Sequence, residues 1–212
     1  MSDTGTLVYV VDDDVSAREG VARLICSAGL SAKTFASGEE FLATERCKIP
    51  GCLILDVNLP GLNGLDLQHE IAESDTEVPI IFLTGYGDIP MSVRAVKAGA
   101  ANFLTKPVDD EELLKAVRQA LERSRIVLAH EAEMQELRGR YALLTPREKH
   151  VMALVVSGLL NKQVGGELGI SESTVKAHRG QVMQKMKANS LADVVKMAEK
   201  LGLTERPEKQ TV

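Results

Sequence analysis

Two short apolar runs that each end abruptly in aspartate constrain this chain more than any other feature. Cys52-Leu53-Ile54-Leu55 follows Pro50-Gly51 and stops at Asp56, and Leu7-Val8-Tyr9-Val10-Val11 runs straight into Asp12-Asp13-Asp14. A short apolar run bounded by turn residues predicts a strand buried on both faces. Pro60-Gly61 then forces a turn. Asp56 therefore stands where a buried strand opens into a loop, the place where open α/β sheets hold their ligands. If the two strands are neighbours, their carboxylates converge. Two such charges about 4 Å apart repel by roughly 4 kcal/mol at an effective dielectric of about 20. The cluster thus calls for a proton or a bound cation, and all-oxygen donors favour a hard ion, Mg²⁺ or Mn²⁺, over zinc.

Two further strand ends belong to the same pattern. Pro79-Ile80-Ile81-Phe82-Leu83 runs into Thr84-Gly85, and Asn102-Phe103-Leu104-Thr105 runs into Lys106-Pro107. A hydroxyl and an ammonium are thereby expected beside the carboxylates. A metal, a carboxylate nucleophile, a hydroxyl and a cation together make a phosphoryl-transfer site, where positioning and charge neutralisation do most of the chemistry.

Helical patterns separate these strands. Val21, Leu24, Ile25 and Ala28 recur at helical spacing within 16–28. Lys33-Thr34-Phe35 reads as a short strand, and Ser37 with Glu40 forms a capping-box pattern ahead of Phe41 and Leu42. Residues 65–72 and 89–98 are helical, the latter closed by Gly99. Five strands alternating with five helices predict an open parallel sheet wound on both faces. The fifth helix does not stop: from Asp110, apolar residues recur among charges with no Gly or Pro until Gly139. It predicts a helix of nearly 30 residues, against a mean of about 11–12, that outruns the first domain as a helical connection; the alternative is a broken helix with a flexible joint near Arg123 to Ile126.

Everything after Leu144 is helical. Thr145-Pro146 opens a helix ending at Gly158, Asn161 caps a short one ending near Gly169, Ser171 opens a third to about Lys187, and Ser190 caps a fourth. The middle pair, joined by Gly169-Ile170-Ser171, has helix-turn-helix spacing. Charge divides the same way. Residues 1–124 carry a net −9 and residues 125–212 a net +4, within a total of −5. An acidic half joined to a basic half points to two tasks, the basic one on nucleic acid.

The remaining composition excludes other classes. The 212 residues suit one or two domains, and 44% hydrophobic with 26% charged residues is ordinary for a globular protein. No apolar run reaches the length of a membrane span, and the N-terminus lacks the blocks of a signal peptide, so a cytoplasmic protein is expected. Cys26, Cys47 and Cys52 have no metal-site spacing, and Cys26 and Cys52 read as small core residues.

With these motifs in order, residues 7–120 resemble the receiver domain of bacterial two-component response regulators. Residues 144–201 resemble the helix-turn-helix output domain of the LuxR/NarL/FixJ group. Within that group the likeness is to FixJ-type regulators, through Thr84-Gly-Tyr-Gly-Asp-Ile-Pro-Met91 and Ala98-Gly-Ala-Ala-Asn-Phe-Leu-Thr-Lys-Pro107. The resemblance implies a flavodoxin-like receiver with strand order 2-1-3-4-5 over 1–122, a helical linker over 123–141, an all-α DNA-binding domain over 142–203 and a disordered tail over 204–212. It implies that Asp56 is the phosphoacceptor and that Asp12 and Asp13, with Asp56 and the Asn58 carbonyl, bind Mg²⁺. Thr84 is then the hydroxyl that contacts the phosphoryl group, Lys106 the neutralising cation, Phe103 an aromatic switch, and Lys106-Pro107 a candidate cis peptide. Lys162, Ser173, Thr174, Lys176, Ala177 and Arg179 are the expected DNA contacts. Val164-Gly165-Gly166 and Gly180 depart from the group's pattern.

The expected function is a phosphorylation-switched transcription regulator. A sensor histidine kinase donates the phosphoryl group, and dimerisation and promoter binding follow, with RNA polymerase as a further partner. The enzyme alternative, an Mg²⁺-dependent phosphohydrolase, needs an acid two residues after the nucleophile, and Asn58 cannot serve as a general acid. A receiver acting only by protein docking would not need the basic helix-turn-helix.

Overall fold

The computed structural model describes residues 5–45, 48–73, 78–85 and 89–203. Two compact units emerge, Met1–Ala129 and His130–Val212. The first alternates strand and helix: β1 (Leu7–Val11), α1 (Val15–Ser27), β2 (Ser31–Phe35), α2 (Gly38–Leu42), β3 (Gly51–Leu55), α3 (Gly64–Ala72), β4 (Ile80–Thr84), α4 (Ile89–Lys97) and β5 (Asn102–Thr105). The sheet is parallel throughout, in the order β2-β1-β3-β4-β5, as the resemblance implied.

Alternation along the strands divides the core between the two faces of the sheet. Val8, Val10, Cys52, Ile54, Ile81 and Leu83 face α1 and the first turns of the last helix, where Leu113, Val117 and Leu121 cover them. Tyr9, Val11, Leu53, Leu55, Ile80 and Phe82 form the other face, with Phe41 and Leu67. Each fully buried side chain of this kind contributes about 1.5–3 kcal/mol, which explains why short strands hold a fixed register. That register matters for the site. Val11 pairs with Leu55, so Asp12 and Asp56 leave adjacent strands at the same level, and Thr84 pairs with Thr105, immediately before Lys106.

The helix α5 runs unbroken over Asp110–Ala142, 33 residues. It carries the buried Ser124, whose Oγ accepts from the Gly51 N–H at 3.1 Å, at the start of β3. Its last turns, from His130, belong to the second unit, where Leu137 joins Leu144, Met152, Val182, Met186, Val194 and Ala198. The second unit adds α6 (Pro146–Val156), α7 (Asn161–Leu168), α8 (Glu172–Met186) and α9 (Leu191–Lys200).

Several local expectations need correction. Asn161 is the first helical residue of α7, not its cap; Leu160 precedes the helix and has no side-chain acceptor, and Gln163 Oε1 instead takes the Leu160 N–H at 2.8 Å. Ser37 caps α2 by accepting from the Glu40 N–H, but the Glu40 carboxylate reaches the Ala36 N–H rather than closing the box. Cys52 is buried, and burial pushes its thiol up to about 12, whereas Cys26 is exposed and not core. Cys47 and the tail 204–212 lie outside the described residues. Among the described residues no helix is long and apolar enough to cross a membrane.

Candidate functional site

The carboxylates stand together because strand register puts them there. Asp56 N–H donates to the Val11 carbonyl and Asp12 N–H to the Phe35 carbonyl, so the ladder continues one residue past β1 and β3. Asp12 and Asp56 are nearly buried, 4% and 9% exposed, while Asp13 is exposed. One carboxylate oxygen from each of Asp12, Asp13 and Asp56 lies within 4.8 Å of the others. Three carboxylates at that spacing suit a hard divalent cation, so the donor set fits the ion that the composition of the cluster calls for.

Lys106 answers part of this charge. Its Nζ donates to Asp12 Oδ2 at 2.6 Å and to Asp56 Oδ2 at 2.8 Å. Burial alone would lower the ammonium's pKa, but the bonds to Asp12 and Asp56 overcome it and hold Lys106 above the ordinary lysine value. Burial raises the Asp12 carboxyl, with the Lys106 bond pulling the other way. Lys106 itself is placed by its N–H bond to the Thr84 carbonyl at 2.8 Å, and the Lys106–Pro107 peptide bond is cis. Thr84 is fully buried, and its Oγ1 accepts from Asn58 Nδ2 at 3.3 Å. Asn58 N–H in turn donates to Asp56 Oδ1 at 3.1 Å. Phe103 is half-buried, its ring centroid 6.1 Å from that of Phe82.

The third acid of the first cluster, Asp14, and two residues that the sequence did not single out, Arg18 and Gly64, shape the site. Asp14 caps α1, accepting from the Ser16 and Ala17 N–H groups, and these bonds hold its carboxyl below the ordinary aspartate value. Arg18 reaches back from α1 to donate to the Asp12 and Asp13 carbonyls at 2.6 and 3.3 Å, fixing the loop that carries both acids. Gly64 opens α3 against the Asp56 carbonyl, and a Cβ there would stand 2.9 Å from the Val57 Cα.

The second candidate site lies on α7 and α8. Gly169 (φ +65°) turns the chain between them, and Ser171 Oγ caps α8 by accepting from the Thr174 N–H at 3.1 Å. Val175 and Val182 are buried, which leaves Ser173, Thr174, Lys176 and Ala177 on the exposed side. Lys162 is exposed with no ion pair among the described residues. Lys176 pairs with Glu172 at 3.2 Å. Arg179 is half-buried and donates to Asn161 Oδ1 at 2.5 Å, joining α8 to α7. At Gly165 a Cβ would stand 2.7 Å from the Ile170 carbonyl oxygen, whereas at Gly180 it would meet nothing within 4 Å. Glycine at 165 therefore lets α7 sit close against its turn; nothing in the structure explains Gly180.

Beneath these helices, Glu148 closes a capping box with Thr145 and receives Lys185 Nζ at 2.7 and 2.9 Å. Lys185, then the Thr145 N–H, hold the Glu148 carboxyl below the ordinary glutamate range. The Arg147 guanidinium donates to the Leu168 carbonyl, tying α6 to the end of α7.

Comparisons with known proteins agree with both halves. Residues 8–118 match the response regulator receiver domain, and residues 142–198 match the bacterial regulatory proteins of the luxR family. Nodulation protein W of Bradyrhizobium diazoefficiens is 49% identical over 208 residues, 98% of this chain and 92% of that protein. The transcriptional regulatory protein FixJ of Azorhizobium caulinodans is 42% identical over 191 residues, 90% of each chain. The solved structure of the response regulator StyR superposes with a TM-score of 0.85 at 44% identity, over 92% of this chain and 99% of that one.

Proposed function

The chain belongs to the bacterial response regulators that join a receiver domain to a LuxR-type DNA-binding domain, and from that premise we propose that Asp56 is its phosphoacceptor. The observation that carries the reading is Lys106, bonded at once to Asp12 and Asp56 in a cluster completed by Asp13. A sensor histidine kinase presents a phosphohistidine. An Asp56 carboxylate oxygen attacks phosphorus, the P–O bond forms as the P–N bond breaks, and the imidazole leaves with the electron pair. Asp12, Asp13, Asp56 and the Asn58 carbonyl would hold Mg²⁺ or Mn²⁺, which when bound neutralises phosphoryl charge. Lys106, bonded to Asp12 and Asp56, balances part of the new charge.

The phosphoryl group adds about −1.5 to −2 charge and three acceptor oxygens. Thr84 can turn its hydroxyl from Asn58 to one of them, and Phe103 repacks behind it. The face made by α4, β5 and the first turns of α5 then dimerises, the differential contact a switch needs. The working division of the chain is a receiver over 1–122, a helical connection over 123–141 whose last turns are anchored in the second unit, and a DNA-binding domain over 142–203. In the dimer α8 enters the major groove of promoter DNA, Ser173, Thr174, Lys176 and Ala177 facing bases and phosphates and Lys162 the backbone. RNA polymerase is the downstream partner, and the chain itself turns over no separate substrate.

Acetyl phosphate with Mg²⁺ tests the first step. Asp56→Asn abolishes labelling and Asp13→Ala loses metal binding; full labelling of the Asp56 variant overturns the assignment. Light scattering then follows dimerisation, and an unchanged mass at micromolar concentration with a phosphoryl mimic overturns the switch.

A further inference from the structure

We infer that Gln68 is a positioning residue that moors α4 to α3 and thereby sets how readily the receiver switches; this rests on the phosphorylation reading above. Gln68 lies on α3, only 3% exposed. Its Nε2 donates to two carbonyls at the C-terminal end of α4, Ala95 at 3.2 Å and Ala98 at 3.1 Å. The Ala95 carbonyl also accepts from the Ala100 N–H at 3.0 Å, whereas the Ala98 carbonyl, past the last turn and without a partner within the helix, takes its bond from Gln68. With two carbonyls facing the amide, the nitrogen must point toward them. The opposite end, Gln68 Oε1, is buried without a hydrogen-bond partner.

That arrangement is expensive as packing alone. A buried acceptor left unmade costs stability that an apolar side chain of the same size would not. Its use becomes clear from what else holds α4. Among the described side chains of that helix only Ala95 is buried, while Val93 and Val96 are 44% and 55% exposed. Apart from Ala95, Met91 packs partly against the core. With few buried side chains among its described residues, α4 draws a substantial part of its hold on α3 from the two Gln68 bonds. It also stands in the chain between Thr84 and β5, so a displacement of Thr84 is carried to it. The two Gln68 bonds resist that displacement until the phosphoryl group supplies a stronger partner for Thr84.

Two variants of the full chain test this. Gln68→Met keeps the volume and removes both donors; Gln68→Glu keeps the length and faces the carbonyls with oxygens. The first measurement is amide hydrogen exchange over residues 95–100 in the untreated protein, with melting temperature as the check on folding. Both variants exchange there about tenfold faster than wild type, the scale set by two net hydrogen bonds. The second measurement is the dimer dissociation constant with and without beryllofluoride as phosphoryl mimic. In Gln68→Met the untreated dimer tightens by about tenfold and the treated one is unchanged, so the response shrinks by that factor. Unchanged exchange overturns the mooring, and faster exchange with an unchanged response overturns its part in switching. A wild-type chain that ignores beryllofluoride overturns the phosphorylation reading itself, and the exchange rates still decide whether Gln68 moors α4.

Discussion

Gly64 sits so tightly against the Asp56 carbonyl that no Cβ can stand between them. The backbone of Asp56 is thus held from two sides, by the Val11 carbonyl through the β1–β3 ladder and by the first turn of α3, whose Gly64 N–H donates to the Val57 carbonyl at 2.9 Å. Gly64→Ala must push α3 away from the loop. We expect a loss of roughly 1–3 kcal/mol in receiver stability, the range for overpacking, with slower labelling at Asp56. Urea denaturation and acetyl phosphate labelling of the variant measure the two together, and a variant as stable and as reactive as wild type would contradict the close approach.

Removing the cation between the acids should make stability depend on the metal. Lys106→Met leaves Asp12 and Asp56, both nearly buried, with no ammonium to bridge them. Breaking such a pair by removing one partner leaves uncompensated charge. The variant is expected to be less stable in EDTA, by an amount on the order of 1–3 kcal/mol. It should also show a larger rise on adding Mg²⁺ than wild type. Thermal melts with and without Mg²⁺ compare the two; equal rises would show that Lys106 and the ion do not share the same charge.

The DNA-binding unit should lose stability in acid through Glu148. Its carboxyl is held below its ordinary value of 4.5 by Lys185 and the Thr145 N–H. A depressed folded-state pKa contributes stability that is fully present above the unfolded value and lost as pH falls through the folded one. Glu148→Gln should therefore cost roughly 1–3 kcal/mol at neutral pH and flatten the decline below about pH 4.5. Melting of the second unit across pH 3–7 checks the slope, and parallel curves for variant and wild type would dismiss the pair as its source.

Lys162 and Arg179, both expected at the DNA, should separate by mechanism. Lys162 has no partner among the described residues, so Lys162→Ala should weaken binding almost equally on specific and random duplexes and reduce the salt slope by about 1. Arg179 is engaged with Asn161. Arg179→Ala should lower the melting temperature of the unit before it alters the salt slope. Fluorescence anisotropy over a salt series, beside melting curves, distinguishes the two; a full-unit salt-slope change with no loss of stability would make Arg179 a phosphate contact instead.

What could be read from the sequence was what local pattern carries. Asp12, Asp56, Thr84 and Lys106 each follow an apolar run, and a parallel sheet places such ends side by side. Asn161 was misread because a good capping residue next to a helix start looks like the cap, yet its side chain is engaged with Arg179, 18 residues away. Cys26 was misread because residue type says little about which side of α1 faces the sheet. Arg18, Gly64 and Gln68 were missed for a further reason. Their partners are set by how helices pack on strands, as with Gln68 and the carbonyls 27 and 30 residues on.

The bond between Ser124 and Gly51 says where this chain can be cut. Ser124 lies beyond the last residue of a receiver drawn at 1–122, yet its hydroxyl is the partner of the first N–H of the strand that ends at Asp56. A fragment stopping at 122 strips that buried amide of its acceptor, a loss of about 1–3 kcal/mol. One continuing to Ala129, the last residue of the first compact unit, keeps it. The minimal autonomous piece therefore extends into the helix that looks, by sequence, like a mere tether.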